Sequence, residues 1–73
     1  MMKQVFCYNA FKTQAKKNIT KYFHTQEIFA KKIGYTRKQV NYLLNHIESI
    51  KLDTILLFAN NLEIDLGKYY VQA

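Results

Sequence analysis

The sequence has no proline, two glycines and one cysteine among its 73 residues. With so few residues that break helices, and no long alternation of apolar and polar residues, we expect an all-α fold. The single cysteine, Cys7, excludes a disulfide within the chain and a cysteine-based metal site. The two histidines, His24 and His46, are too far apart in sequence to form a local zinc motif. The sequence therefore predicts no metal and no other cofactor.

Membrane segments and catalytic motifs are also missing. No apolar run approaches the ~20 residues that span a bilayer, and residues 1–11 lack the apolar centre of a signal peptide. Together with a lone thiol, this pattern predicts a cytoplasmic protein that does not enter membranes. There is no paired carboxylate, no nucleophile beside a base and no glycine-rich phosphate loop. We therefore expect neither an enzyme nor a small-molecule substrate.

Basic residues are abundant, and they are unevenly distributed. Eleven Lys and Arg face five Asp and Glu, which gives a net charge of +6. Residues 1–51 carry ten of the basic residues and two acidic ones, whereas residues 52–73 carry one basic and three acidic residues. A basic part of a small domain is typical of proteins that bind the phosphate backbone of nucleic acids, although a solvated basic surface has the same composition.

Apolar periodicity predicts a single domain, residues 1–73, with four to five helices. The N-terminal helix and its connection occupy residues 1–24, with the helix from Lys3 to about Asn18 and a connection over residues 20–24. Its start is open, because Val5, Phe6 and Tyr8 also fit a short extended arm. C-terminal helices are predicted within residues 52–70, over 52–61 and from an Asp65 cap to about Tyr70. The residues predicted to face the core are Phe11, Ala15, Ile19, Leu52, Ile55, Leu56, Ala59, Leu62 and Tyr69.

The segment 25–46 contains two helices separated by a very short turn. Thr25 is placed to cap the first of them, helix 2 of the predicted domain, and Gly34 is placed to end it in a left-handed conformation. Thr36 begins the next, helix 3, with the S/T-x-x-E/Q pattern of a capping box, completed by Gln39. Two helices so joined form a helix-turn-helix when small, apolar and glycine residues recur at set spacings. Residues with the required spacing are Phe29, Ala30, Ile33, Gly34, Tyr35, Val40 and Leu43.

Residues 25–34, TQEIFAKKIG, resemble the opening of the phage lambda-repressor-like family, which includes Cro and CI repressors and xenobiotic-response-element regulators. Residues 52–56 and 58–66 resemble that family's fourth and fifth helices. The resemblance implies a compact five-helix regulator, a repressor of phage or mobile-element type, which binds a near-palindromic operator in double-stranded DNA as a homodimer. The chain departs from the family at Asn45 and His46, which replace a usual glycine, and we expect helix 3 to run longer there.

In a helix-turn-helix, the N-terminal residues of the second helix contact base edges in the major groove. Arg37 and Lys38 occupy those positions and can donate to guanine, whereas Asn41 can pair with adenine. Tyr42 can reach a base or a phosphate. The alternative for Arg37 and Lys38 is a solvated helix surface.

Other polar residues of this segment have two possible roles. Gln26 can contact a phosphate at the start of helix 2 or merely cap it, and Gln39 can serve the capping box or DNA. The complete set of predicted DNA-contacting residues is Gln26, Thr36, Arg37, Lys38, Gln39, Asn41, Tyr42 and Asn45. Tyr70 and Val71 are candidates for a dimer contact.

A second function class uses the same scaffold differently. A protein-interaction module, such as an antirepressor or inhibitor, would keep the two helices and bind another protein. The basic, polar face predicted for helix 3 favours DNA, and exposed aromatic residues there would favour a protein partner.

Overall fold

The computed structural model describes residues 4–72, and helices dominate them. In chain order the elements are β1 (Gln4–Phe6), α1 (Tyr8–Phe23), α2 (Gln26–Ile33), α3 (Arg37–Asn45), a 3₁₀ turn (Ile47–Ser49), α4 (Leu52–Leu62), a second 3₁₀ turn (Leu66–Tyr69) and β2 (Tyr70–Gln72). The expected all-α class is confirmed, apart from a short two-stranded ribbon that was not predicted. Over the described residues, no helix is both long and apolar enough to cross a membrane.

The core lies where α1 packs against α2 and α4, and where α2 packs against α3. Phe29 is fully buried at its centre, and its ring centroid lies 5.2 Å from those of both Phe23 and Phe58 in edge-to-face geometry. Aromatic rings prefer this geometry because the positive edge of one meets the negative face of another. The buried apolar residues are Phe11, Ala15, Ile19, Phe29, Ala30, Val40, Leu44, Ile47, Ile55, Phe58, Ala59 and Leu62.

Helix α1 differs from its prediction at both ends. It starts at Tyr8 and ends at Phe23, five residues beyond the predicted end at Asn18. The predicted start at Lys3 lies outside the described residues, and the first described residues form β1 instead of helix. The predicted connection over residues 20–24 is wrong because Phe23, one helical turn beyond Ile19, continues the inward apolar stripe.

The inward face of α4 and the end of α3 also differ from expectation. Leu52 and Leu56 were predicted to face the core, but they are 59% and 39% exposed. Phe58 is fully buried instead: its ring packs edge-to-face against Phe29 of α2, and Ile55 and Leu62 are buried at helical spacing from it. Helix α3 ends at Asn45 and does not continue through His46, because the chain there enters a 3₁₀ turn.

Helices α2 and α4 end in the same hydrogen-bonded motif. The N–H of Tyr35 donates to the carbonyl of Ala30 at 2.8 Å, and the N–H of Ile64 donates to that of Ala59 at 2.9 Å. In each case the residue before the donor has a left-handed backbone conformation: Gly34 with φ 79° and Glu63 with φ 56°. Such bonds satisfy carbonyls that a helix end leaves without intrahelical partners.

Two short strands join the two ends of the described chain. Strands β1 and β2 pair antiparallel, with Val5 opposite Val71 and Phe6 opposite Tyr70. A ribbon of two strands is marginal by itself, but the Phe6 ring packs within 5.6 Å of the Tyr70 and Phe11 rings. The extended arm considered for residues 5–8 is therefore real for Val5 and Phe6, whereas Tyr8 begins α1.

A buried asparagine links α1 to the end of α4. The Asn18 side-chain nitrogen donates to the carbonyl of Leu62 at 2.8 Å, and its oxygen accepts from the side chain of Gln14 at 2.8 Å. Asn18 is 8% exposed, so water replaces these partners poorly. This side chain therefore satisfies one of the last α4 carbonyls from a different helix.

We expect Asn18→Ala to lower the free energy of unfolding by about 1–3 kcal/mol, because it leaves the Leu62 carbonyl buried without its donor. Urea denaturation followed by circular dichroism measures the change. Lys17→Ala, on the exposed side of the same helix, is the control and should be close to neutral. Equal effects of the two substitutions would contradict the role assigned to Asn18.

The two left-handed helix ends predict opposite effects of substitution. Gly34→Ala should destabilise the protein by about 1 kcal/mol, because an L side chain strains this backbone region although its Cβ would meet no atom within 4 Å. Glu63→Gly should stabilise it by about 0.5–1 kcal/mol by relieving the same strain. Denaturation midpoints of the two variants test this, and a loss of stability in Glu63→Gly would contradict it.

Candidate nucleic-acid interface

The turn between α2 and α3 holds only Gly34, Tyr35 and Thr36. Thr25 caps α2 by accepting from the N–H of Ile28 at 3.2 Å, and Gly34 adopts the left-handed conformation at its other end. Both features confirm the sequence prediction. Because the second helix begins directly after this turn, its first residues are exposed on the surface next to α2.

A capping box starts α3, as the sequence predicted. The Thr36 hydroxyl accepts from the N–H of Gln39 at 3.1 Å, and the Gln39 side-chain oxygen accepts from the N–H of Thr36 at 2.9 Å. The same oxygen accepts from the Thr36 hydroxyl at 3.2 Å. Of the two roles considered for Gln39, the capping role is therefore present. The Gln39 side-chain amide nitrogen takes no part in the capping box. It can therefore still donate a hydrogen bond to another group.

Four of the predicted contact residues lie around one cleft of about 680 Å³ between the first turns of α2 and α3. Arg37, Lys38 and Asn41 contribute exposed side chains from α3, and Gln26 contributes a half-buried one from α2. Two cations and two amides thus converge in one place. Guanidinium and amide groups are the side chains that pair with two acceptors or with a donor and an acceptor on base edges.

Two further residues of the cleft were not among the predicted contacts. Thr25 and Glu27 line it from the start of α2. The sequence predicted Thr25 only as a helix cap. Glu27 lies in the first turn of α2, where the helix dipole favours a negative charge. Thr25 and Glu27 lie beside Gln26 because these three consecutive residues form the N-terminal end of α2. Glu27 places one negative charge opposite the two cations of α3.

Tyr42 and the capping-box residues lie on the other side of α3. They surround a shallow depression of about 450 Å³, which is lined by Tyr35, Thr36, Lys38, Gln39, Tyr42 and Leu43. Lys38 lines both the cleft and this depression, so it marks the ridge between them. Tyr42 is 60% exposed.

The Tyr42 ring has a neighbour one helical turn further on. Its centroid lies 4.3 Å from that of the His46 imidazole, and the ring planes are tilted by 37°. His46 is the residue that follows the last turn of α3. This contact restricts an otherwise exposed aromatic side chain, because the imidazole occupies space next to one face of the ring.

Asn45 is separated from the other predicted contacts. It lines a smaller depression together with Asn9 and Lys12 of α1 and with residues 46–49. The structure thus brings Gln26, Arg37, Lys38 and Asn41 together, groups Thr36, Gln39 and Tyr42 beside them, and leaves Asn45 at the far end of α3. Among residues 4–72, no three His, Cys, Asp or Glu side chains lie close enough to hold a metal ion.

No protein-family model, curated protein or solved structure matches the chain. The functional interpretation therefore depends on the residues and their geometry.

We expect Thr36→Ala to lower the free energy of unfolding by about 1 kcal/mol, because it removes the acceptor of the capping box. Gln39→Glu should retain stability, since a carboxylate oxygen still accepts from the Thr36 N–H and suits a helix N-terminus. Thermal unfolding compares the variants. Thr20→Ala, an exposed threonine within α1, is the control and should not destabilise. A strongly destabilised Gln39→Glu variant would contradict this account.

Proposed function

We propose that this chain binds double-stranded DNA in a sequence-specific manner and acts as a transcriptional regulator, most simply a repressor. In this proposal α2, the turn and α3 work as a helix-turn-helix, with α3 in the major groove. The observation that carries the proposal is the cleft in which Arg37, Lys38 and Asn41 meet Gln26. A lone basic helix face would support only general attraction to phosphates.

Each of the four predicted contact residues in the cleft has a proposed role that follows from its chemistry. Arg37, in the first turn of α3, donates to the O6 and N7 atoms of a guanine, and Lys38 reaches the same kind of acceptor. Asn41 lies one turn later and pairs with the N6 and N7 atoms of an adenine. Gln26 stands at the start of α2, where backbone N–H groups and the helix dipole favour a phosphate.

The charge distribution supports the same partner. Exposed basic residues add positive charge to two helices: Lys16, Lys17 and Lys21 on α1, and Lys31 and Lys32 on α2. These side chains would contribute sequence-independent attraction to the phosphate backbone, which weakens steeply as salt rises. Glu27 opposes this attraction inside the cleft, so favourable base contacts have to supply more of the affinity there.

A single domain presents one recognition helix, and a homodimer would present two. Two-fold symmetric pairs bind half-sites about one helical turn of DNA apart, so the proposed operator is near-palindromic. Tyr70 and Val71, the proposed dimer contacts, are 42% and 49% exposed while their backbones pair with β1.

One observation favours the second candidate function, a protein-interaction module. Tyr42 is 60% exposed beside a depression that Leu43 and Tyr35 also line. Exposed aromatic side chains of this kind are common at protein interfaces. The cations and amides that share α3 with Tyr42 make DNA the better-supported partner.

Selection of random-sequence duplex DNA by the purified chain tests the proposal. We expect enrichment of a two-fold symmetric motif. Arg37→Ala should weaken binding to it by about fivefold or more, because a bidentate base contact is worth about 1–3 kcal/mol. Asn41→Ala should relax the preference for adenine at one position of each half-site.

Lys68→Ala is the matched control, since it also removes one exposed positive charge but lies in the 3₁₀ turn after α4. Binding by this variant should change less than about twofold, as expected when only a distant surface charge is lost. If no duplex is enriched even at low salt, the DNA proposal is wrong. If Lys68→Ala and Arg37→Ala are equally impaired, the binding is only electrostatic and the sequence-specific function is wrong.

A further inference from the structure

Helix α3 has a second surface, beside the polar cleft, whose chemistry suits a different group on DNA. The depression next to Tyr42 is mostly apolar, and it is lined by Tyr35, Thr36, Lys38, Gln39, Tyr42 and Leu43. In the major groove, thymine is the base that presents an apolar group, its C5-methyl. An apolar surface beside a recognition helix would favour that methyl over the polar edges of the other bases.

We propose that Tyr42 reads a thymine methyl group in the DNA site and that His46 is the positioning residue that holds Tyr42 for this contact. The inference depends on the proposed function and extends it, because it adds a thymine to the site. DNA is the proposed occupant of the depression because the depression adjoins the cleft. Lys38 borders both, so a duplex bound at the cleft extends over Tyr42.

The contact between Tyr42 and His46 supports the positioning role. An aromatic side chain that is 60% exposed ordinarily samples several rotamers, and fixing it on DNA costs conformational entropy. The tilted contact with the imidazole, with ring centroids 4.3 Å apart, restricts the Tyr42 ring before DNA arrives. His46 takes no part in the capping box or the cleft, and its ring contact is with Tyr42.

Replacement of thymine by deoxyuridine tests the inference, because it removes only the methyl group. With duplexes that carry the selected motif, each thymine is replaced in turn and binding of the full chain is measured by fluorescence anisotropy. At one thymine of each half-site, we expect the replacement to weaken binding by about fourfold, the factor for one methylene-sized group removed from water. In Tyr42→Ala the same replacement should have no effect at that position.

Variants of His46 separate positioning from simple structural support. His46→Ala should reduce the penalty for losing the methyl towards none, whereas His46→Phe, which can still stack, should restore it. A variant that merely unfolds lowers binding to both duplexes alike and leaves their ratio unchanged, so the ratio is the readout. His24→Ala, at the exposed end of α1, is the control and should keep the full penalty.

The outcomes distinguish this inference from the proposed function. If no duplex is enriched, the proposed function and this inference both fail. If a motif is enriched but contains no thymine, or deoxyuridine binds as well as thymine at every position, only the thymine reading is wrong. If the methyl penalty persists in Tyr42→Ala, another residue reads the methyl, and if it persists in His46→Ala, the positioning role is wrong.

Discussion

The arrangement of α2 and α3 depends on the three residues that separate them. Gly34 takes a left-handed backbone conformation, and the N–H of Tyr35 then closes the end of α2 on the carbonyl of Ala30. Thr36 starts the next helix at once through its capping box with Gln39. With only these three residues between the two helices, α3 begins directly beside the end of α2. The packing of α2 on α3 then places the first turns of both helices around one polar cleft.

The remainder of the fold stabilises these two helices with a small core and without a covalent crosslink. A domain of this size buries only about 60% of the surface of its unfolded chain, and its one cysteine allows no internal crosslink. Rings compensate in part: Phe29 contacts rings on both sides at 5.2 Å, and Phe6 holds the ribbon that joins the two ends of the described chain. Asn18 adds the polar link between α1 and α4. Apart from the pair of Phe23 and Phe29, these contacts join residues that are far apart in sequence, so they stabilise the domain as one unit.

Structural and proposed recognition roles are divided between neighbouring residues of α3. Val40 and Leu44 are fully buried and fix the helix on the core. Arg37, Lys38 and Asn41 are exposed and take no part in the capping box. Substitution of the second group therefore changes the surface with little effect on packing. The same division lets one helix present a polar cleft on one side and an apolar depression on the other, with Lys38 between them.

Local signals in the sequence determined the helix ends correctly where short-range hydrogen bonds decide them. Thr25, Gly34, the capping box and the Asp65 cap all lie where the sequence placed them, since each bond joins residues at most five positions apart. Local pattern also identified Arg37, Lys38 and Asn41 as exposed polar residues at the start of α3. Their assignment to DNA remains a proposal.

Only the tertiary structure decided the features that depend on distant partners. The ribbon pairs Val5 with Val71, a match that no local pattern encodes. The burial of Phe58 in place of Leu56 follows from which face of α4 meets Phe29 and α1. Gln26 and Glu27 likewise line one cleft with the α3 cations only because α2 packs on α3. Sequence spacing specifies which residues share a helix face, but the three-dimensional packing determines what that face meets.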